Sequence, residues 1–277
     1  MQGSERTLRL LRGAGRRAAA RLVRRPSVPA ARNVTVLSSD VFLVSYPRSG
    51  NTWLRFLLAN ALRPDPPATF ATFGEVVPDI YDEPDRALLR RPEPRVLKSH
   101  EPFDPRYRRV LYVVRHPADV AVSYYHYLIK MRVIPPGYDV DRFVASFVSG
   151  GLDDFGRWGD HVTGWLDARE GESDFVLVRY EDVLDDPAEA LAAAVELIGA
   201  DVDDVTMAAA VERSRADELR RLERETATAL PTFRGSRLED PFIREARAGT
   251  AAEELSPELM AQIMDAWPET AARLGYA

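Results

Sequence analysis

Four short runs of bulky apolar residues, each stopped by polar ones, constrain this chain more than any other feature. They are Val41-Phe42-Leu43-Val44-Ser45, Arg95-Val96-Leu97-Lys98, Val110-Leu111-Tyr112-Val113-Val114 and Phe175-Val176-Leu177-Val178. A run apolar at every position, rather than alternating, marks a strand of a parallel sheet covered on both faces. After the first run come turn residues, Tyr46 to Asn51, and then Leu54, Leu57, Leu58 and Ala61 at helical spacing. This predicts strand, tight loop and a helix over 52–62. Pro117 suits the first turn of another helix, which carries Val120, Ser123, Tyr124 and Tyr127. Further helices are predicted over about 187–198, 202–213, 215–225 and 256–266. Residues 63–94 hold seven prolines and read as a long irregular connection, a kind of loop that is usually functional. At 277 residues, the expectation is one α/β domain over 34–277, a central parallel sheet flanked by helices with a P-loop-like nucleotide-binding turn.

Composition removes several classes of function. The chain has no cysteine, which excludes a disulfide scaffold, a thiol nucleophile and a thiolate metal site. No stretch approaches the roughly 20 apolar residues of a membrane span, and none has the apolar core of a secretory leader. A cytoplasmic setting is therefore expected. The four histidines, His100, His116, His126 and His161, are not at metal-ligand spacing, so no metal is expected. Residues 1–25 carry eight Arg and one Glu, +7, while the whole chain is −6, leaving −13 on the rest. An acidic body argues against nucleic-acid binding. Residues 1–33 read as a flexible basic tail whose sparse apolar face (Leu8, Leu11, Leu22) suits contact with a membrane surface. Of 37 basic residues only Lys98 and Lys130 are lysine, so each invites attention. Nothing in the sequence speaks to oligomeric state.

Polar residues follow every predicted strand: Arg48 and Ser49, Lys98 and His100, Arg115, and Tyr180. Ligands of open α/β sheets bind outside the carboxyl ends of the strands, so these four segments are expected to meet at one site. The loop with Ser49, Gly50 and Thr52 can aim backbone N–H groups and a helix N-terminus at an anion. It is not the nucleoside-triphosphate version. Ser45 stands at the first glycine position of that motif and Asn51 at its lysine. The third strand ends in Arg115, where such proteins place a metal-binding Asp. The loop thus suits a ligand with less terminal charge and no metal. His100 is the candidate general base, with Lys98 beside it as a point charge. His116, His126 and His161 read as structural.

FLVSYPRSGNTWLRFLL resembles the donor loop, usually Y-P-K-S-G-T-T-W, of the sulfotransferases that use 3′-phosphoadenosine 5′-phosphosulfate (PAPS). VLYVVRHPADVAVSYYHY resembles their 3′-phosphate segment, VLKSHEPF their K-T-H-x-P segment, and FVLVRYEDVLDDP their Y-E-D-L turn. The order and spacings agree over about residues 40–277. The resemblance implies that Arg48, Ser49, Gly50, Asn51, Thr52 and Trp53 hold the donor, Trp53 also stacking on adenine. It implies that Arg115 and Ser123 hold the 3′-phosphate and that Tyr180 faces the adenine. His100, Lys98 and Arg48 become the catalytic set. PFIREARAGTAAEELSPE is similar to the family's F-x-R-K-G-x-x-G-D-W loop, with Arg244 and Gly249 matching and Glu245 at the lysine position. The implied activity is sulfuryl transfer from PAPS to a hydroxyl or amine of a small-molecule, lipid or carbohydrate acceptor, without metal. Two other classes stay open: a small-molecule kinase of related fold, and a nucleotide- or glycan-binding protein without turnover.

Overall fold

A computed structural model describes residues 30–226, 228, 233 and 235–276. The membrane-contacting tail expected at the N-terminus therefore lies, up to residue 29, outside the described residues. Residues 30–33 already belong to the domain: Ala30 is buried and its N–H donates to the Glu83 carbonyl, 2.9 Å away.

The elements run β1 (Val41–Ser45), α1 (Asn51–Leu62), α2 (Phe73–Val76), α3 (Asp85–Leu88), β2 (Val96–Ser99), β3 (Arg109–Val114), α4 (Pro117–Lys130), α5 (Val140–Val148), α6 (Trp158–Arg169), β4 (Phe175–Arg179), α7 (Tyr180–Asp185), α8 (Pro187–Ile198), α9 (Asp204–Arg213), α10 (Ala216–Thr226), α11 (Ala251–Glu254), α12 (Pro257–Asp265) and α13 (Pro268–Arg273). The four strands form one parallel sheet in the order β2-β1-β3-β4. All five residues of β1 are buried, because strand alternation sends them into two separate cores. Phe42 and Val44 pack with Val120 of α4, Phe143 of α5 and Trp165 of α6. Val41 and Leu43 pack with Leu54 and Leu58 of α1 and Leu191 of α8. The result is a three-layer α/β architecture.

The chain leaves β1 for an outer neighbour, β2, and then returns to the other side for β3. The order reverses around β1, which opens a crevice at the carboxyl ends of β1 and β3. The start of β2 is fixed by a buried ion pair: Arg95 gives two bonds to Asp40, at 2.7 and 2.6 Å. That pairing sets where Lys98 and His100 emerge. The predicted irregular stretch at 63–94 is more ordered than expected. It contains α2 and α3, and its segment around Asp79 runs parallel to β2, with Lys98 N–H donating to the Pro78 carbonyl at 2.9 Å. Among the described residues no helix is long and apolar enough to cross a membrane.

Candidate active site

The first wall of the crevice is the loop between β1 and α1. Arg48 has φ 72° and Gly50 φ 100°. A left-handed Arg is uncommon and costs about 1–3 kcal/mol, a strain that concentrates at functional turns. Gly50 is required twice over: by that φ, and because a Cβ there would lie 2.5 Å from Tyr180 Cδ2. Left-handed residues in such a turn gather successive backbone N–H groups into a concavity for anions. Gly50 also starts α1, whose first N–H groups have no intrahelical acceptor before Trp53, and among the described residues no side chain caps that helix.

Side chains repeat the pattern. Nine buried side-chain atoms lack a hydrogen-bond partner among the described residues, and three of them are Ser49 Oγ, Asn51 Oδ1 and Arg115 Nε. Buried polar atoms are ordinarily satisfied, so their concentration at one crevice marks a place for a polar ligand. The Arg48 guanidinium lies between the rings of Tyr127 and Phe242, 4.8 and 4.4 Å from their centroids. Its Nε donates to Ser123 Oγ at 3.1 Å, and among the described residues no carboxylate pairs with it. Burial pushes it down to about 10, which leaves it cationic at neutral pH. Arg115 sits 4.3 Å over the Tyr180 ring and 3.6 Å from Asp119. Tyr180 meets Trp53 edge-on, with centroids 5.9 Å apart. Sequence reasoning placed Tyr180 at the end of a strand; it is the first residue of α7, where its ring closes the crevice against Gly50.

Two expected donor contacts are already engaged elsewhere. The Gly249 N–H donates to Asp119 Oδ2 at 2.8 Å, and Asp119 also accepts from Ala251 N–H. Arg244 pairs with Glu254 at 2.5 Å, and Glu254 also meets His126. Asn51 turns its amide back toward the sheet, donating to Leu43 O and Ser45 Oγ at 3.4 and 3.2 Å. Its side chain therefore braces the loop from below. The C-terminal loop is held down by Arg220, which donates to the Arg244 carbonyl at 2.5 Å. Lys130, the second lysine, is an anchor of the same loop: its Nζ donates to the Asp240 carbonyl at 2.5 Å, beside Glu223.

The second wall is the end of β2. Lys98 Nζ is 2.9 Å from Asp79 Oδ2, and both side chains are largely buried. Burial lowers the ammonium from its ordinary value against the attraction of Asp79. For Asp79 burial works upward, but Lys98 and Arg55 hold it below the usual carboxylate range. No local pattern points to this partner, 19 residues away in a proline-rich loop. His100 follows, just past the last strand residue, and is half-buried. Its Nδ1 lies 2.7 Å from the Ser45 carbonyl. A carbonyl can only accept, so Nδ1 carries the proton and Nε2 is left as the basic nitrogen. Burial, and then the charge of Lys98, hold His100 well below the ordinary imidazole value. The imidazole is neutral at neutral pH.

Tyr81 and Phe155, neither singled out by the sequence, complete this wall. The Tyr81 ring lies near-parallel to His100 with centroids 6.3 Å apart, and carries Lys98 Nζ 4.9 Å above it. Phe155 meets His100 edge-on at 5.6 Å. Glu101, the next residue in the chain, is committed to Arg32 and Tyr81, at 2.5 and 3.0 Å. The crevice thus joins a cationic, under-satisfied end at β1 and β3 to a neutral imidazole and a paired lysine at β2. His116 caps α4, accepting from Ala118 N–H at 3.3 Å.

Known proteins resemble this chain in sequence and in fold. Sulfotransferase 2B1 of Mus musculus is 26% identical over 230 residues, covering 77% of this chain and 66% of its own length. The rat protein of the same name is 26% identical over 65% of its own length, so the alignment spans just under two thirds of these relatives. Sulfotransferase 1B1 of Mus musculus is 25% identical over 76% of this chain and 75% of its own. Retinol dehydratase, solved with androsterone and the inactive cofactor PAP, shares the fold with a TM-score of 0.72 at 19% identity, over 87% of this chain and 83% of its own. Mouse sulfotransferase SULT7A1, solved with PAP, gives 0.67 at 22% identity, over 93% and 96%. The sulfotransferase domain family matches residues 38–275, a span that takes in the whole sheet and both walls of the crevice, and the chain belongs to that family.

Proposed function

We propose that this protein transfers a sulfuryl group from PAPS to a hydroxyl or amine of a small acceptor. One observation carries the reading: among the described residues Ser49 Oγ and Arg115 Nε are buried without hydrogen-bond partners, beside a helix start with no side-chain cap and an Arg with no carboxylate. An anionic nucleotide answers all of these deficits at once. The 5′ end of the donor falls to Arg48, Ser49 and the N–H groups of Gly50 to Thr52. The 3′-phosphate falls to Arg115 and Ser123, and the base to the Trp53 and Tyr180 side. When bound, PAPS supplies an activated sulfur whose displacement spreads charge over equatorial oxygens.

The chain's own part is to place charge and move one proton. Arg48 and Lys98 bring fixed cations to the oxygens where charge accumulates. For Lys98 this requires release from Asp79. His100 takes the acceptor proton at Nε2, while its Nδ1–H goes on donating to Ser45 O. Tyr81 and Phe155 flank His100 with aromatic surface, which suits an acceptor with an apolar body, lipids included. A carbohydrate acceptor would find fewer partners on these rings. The cysteine-free chain is in keeping with a cytoplasmic setting.

The test is a mass-spectrometric screen of phenols, alcohols, sterols, amines and sugars with PAPS in metal-free buffer. The expected result is one added sulfonate on an acceptor with a ring or apolar body. Phosphorylation of the panel by ATP with Mg²⁺, and no sulfonation, would contradict the proposal.

A further inference from the structure

His161 was read from the sequence as structural, yet its two ring nitrogens form a directed relay to His100. Nε2 lies 3.1 Å from the His100 carbonyl, which can only accept, so Nε2 carries the proton. Nδ1 then accepts from the Tyr112 hydroxyl at 2.8 Å. Burial pushes His161 down to about 4, which keeps this neutral tautomer across the working range. One helical turn on, the Trp165 indole N–H donates to the next carbonyl, Glu101 O, at 3.2 Å.

These contacts answer a need of the topology. β2 pairs with β1 on one side and, at Lys98 alone, with the segment around Asp79 on the other, and its ladder with β1 stops at Ser99. The next carbonyls leave the sheet while still shielded from water, and such groups need donors. Residues 161 and 165 lie one above the other on the face of α6, so they supply two donors at the spacing of two successive carbonyls. On another side of the same helix residue 159 is glycine, and Trp267 packs directly on it: a Cβ there would lie 2.1 Å from Trp267 Cδ1. Tyr112 stacks on the His161 ring and Tyr46 meets it edge-on, with centroids 5.9 and 5.6 Å away.

We propose that His161 and Trp165 are positioning residues that clamp the backbone of His100 and thereby fix its imidazole on Ser45 O with Nε2 facing the acceptor. As a role in turnover this rests on reading His100 as the base. A displacement of about 1 Å at a reacting group can cost roughly 10²-fold in rate.

The experiment compares His161→Leu, His161→Gln, Tyr112→Phe and Trp165→Phe with the parent and with His100→Asn, using the best acceptor from the screen. His161→Leu should lower kcat by about 10–100-fold with PAP affinity within about twofold, and should shift the ascending limb of the pH profile. His161→Gln, which keeps a donor at the reach of Nε2, should recover most of the loss. The two milder variants should lose severalfold each, and they carry the test if the leucine variant does not fold. Parent-like kcat and pH profile in His161→Leu beside an inactive His100→Asn would overturn the clamp, as would a glutamine variant as impaired as the leucine one. Should His100→Asn stay active, the base reading falls, and nitrogen-15 NMR of the four histidines decides the clamp on its own: loss of the single Nδ1–H tautomer of His100 in His161→Leu supports it, and an unchanged tautomer overturns it.

Discussion

The two ends of the crevice handle charge in opposite ways. At the end of β2, Lys98 is neutralised by Asp79, His100 is held on Ser45 O, and Glu101 is bonded on both oxygens. At the ends of β1 and β3, among the described residues, Arg48 has aromatic faces and one hydroxyl but no carboxylate, and polar atoms of Ser49 and Arg115 have no hydrogen-bond partner. The β2 end is built to hold its groups still without a ligand. The β1 end is built to be completed by one. A protein can tolerate deficits where binding repairs them; it cannot leave a base to wander.

The sharpest break of this contrast is a pair of charge removals. Lys98→Met takes the ion-pair partner from a largely buried Asp79, leaving it Arg55 and the Tyr81 N–H, and breaking a buried pair costs about 3–5 kcal/mol. Arg48→Met strands no carboxylate, so chemical denaturation should show a change within about 1 kcal/mol, the worth of the one hydrogen bond lost. PAP affinity should respond in the reverse order, falling strongly for Arg48→Met and little for Lys98→Met. Equal stability losses for the two would erase the distinction between the ends.

Next in size is the reading of the 3′-phosphate. Arg115→Ala should weaken PAP by about 1.5–3 kcal/mol, the worth of a charge-assisted bond, with a smaller loss for Ser123→Ala. Adenosine 5′-phosphate should lose little in either variant. Calorimetry with both nucleotides measures the difference, and equal losses would move the 3′-phosphate elsewhere.

Much of this was legible in the sequence, for identifiable reasons. β1 was placed to the residue, and the other strands to within one, because strands covered on both faces are apolar throughout. α8 was placed to the residue as well, between Pro187 and Gly199. The α5 and α6 helices were passed over. Phe143, Val144 and Phe147 do repeat at helical spacing behind the Asp139 cap, a signal that was there to be used. In α6 the buried face mixes Trp158, Gly159, His161, Val162 and Trp165, and glycine and histidine blur an apolar stripe. Asp79, Tyr81 and Phe155 escaped because each acts through contacts set by tertiary folding alone. Nor does the sequence show that burial and Lys98 depress His100.

The smallest effect is on pH dependence. His100, His116 and His161 all lie below their ordinary value in the folded chain, chiefly through burial. The unfolded chain takes up these protons near pH 6.5 while the folded chain does not. Their contribution to stability is thus full above that pH and declines as pH falls, for His161 down to about 4. For kcat/KM, the ascending limb should lie below pH 6.5, with a plateau through neutrality. Thermal melts and initial rates between pH 5 and 8 check both, and a limb centred above 7 would contradict the depressed imidazole.

The central claim is that the deficits at the β1 end await an anionic nucleotide. Thermal denaturation with PAP in chelator-containing buffer, against ATP with Mg²⁺, tests it most directly, because a ligand that binds only the folded state must raise the melting temperature. The account predicts a clear rise with PAP, a much smaller one with ATP and Mg²⁺, and loss of the PAP response in Arg48→Met. A rise with ATP and Mg²⁺ that equals or exceeds that with PAP, or a PAP response untouched by Arg48→Met, would contradict it.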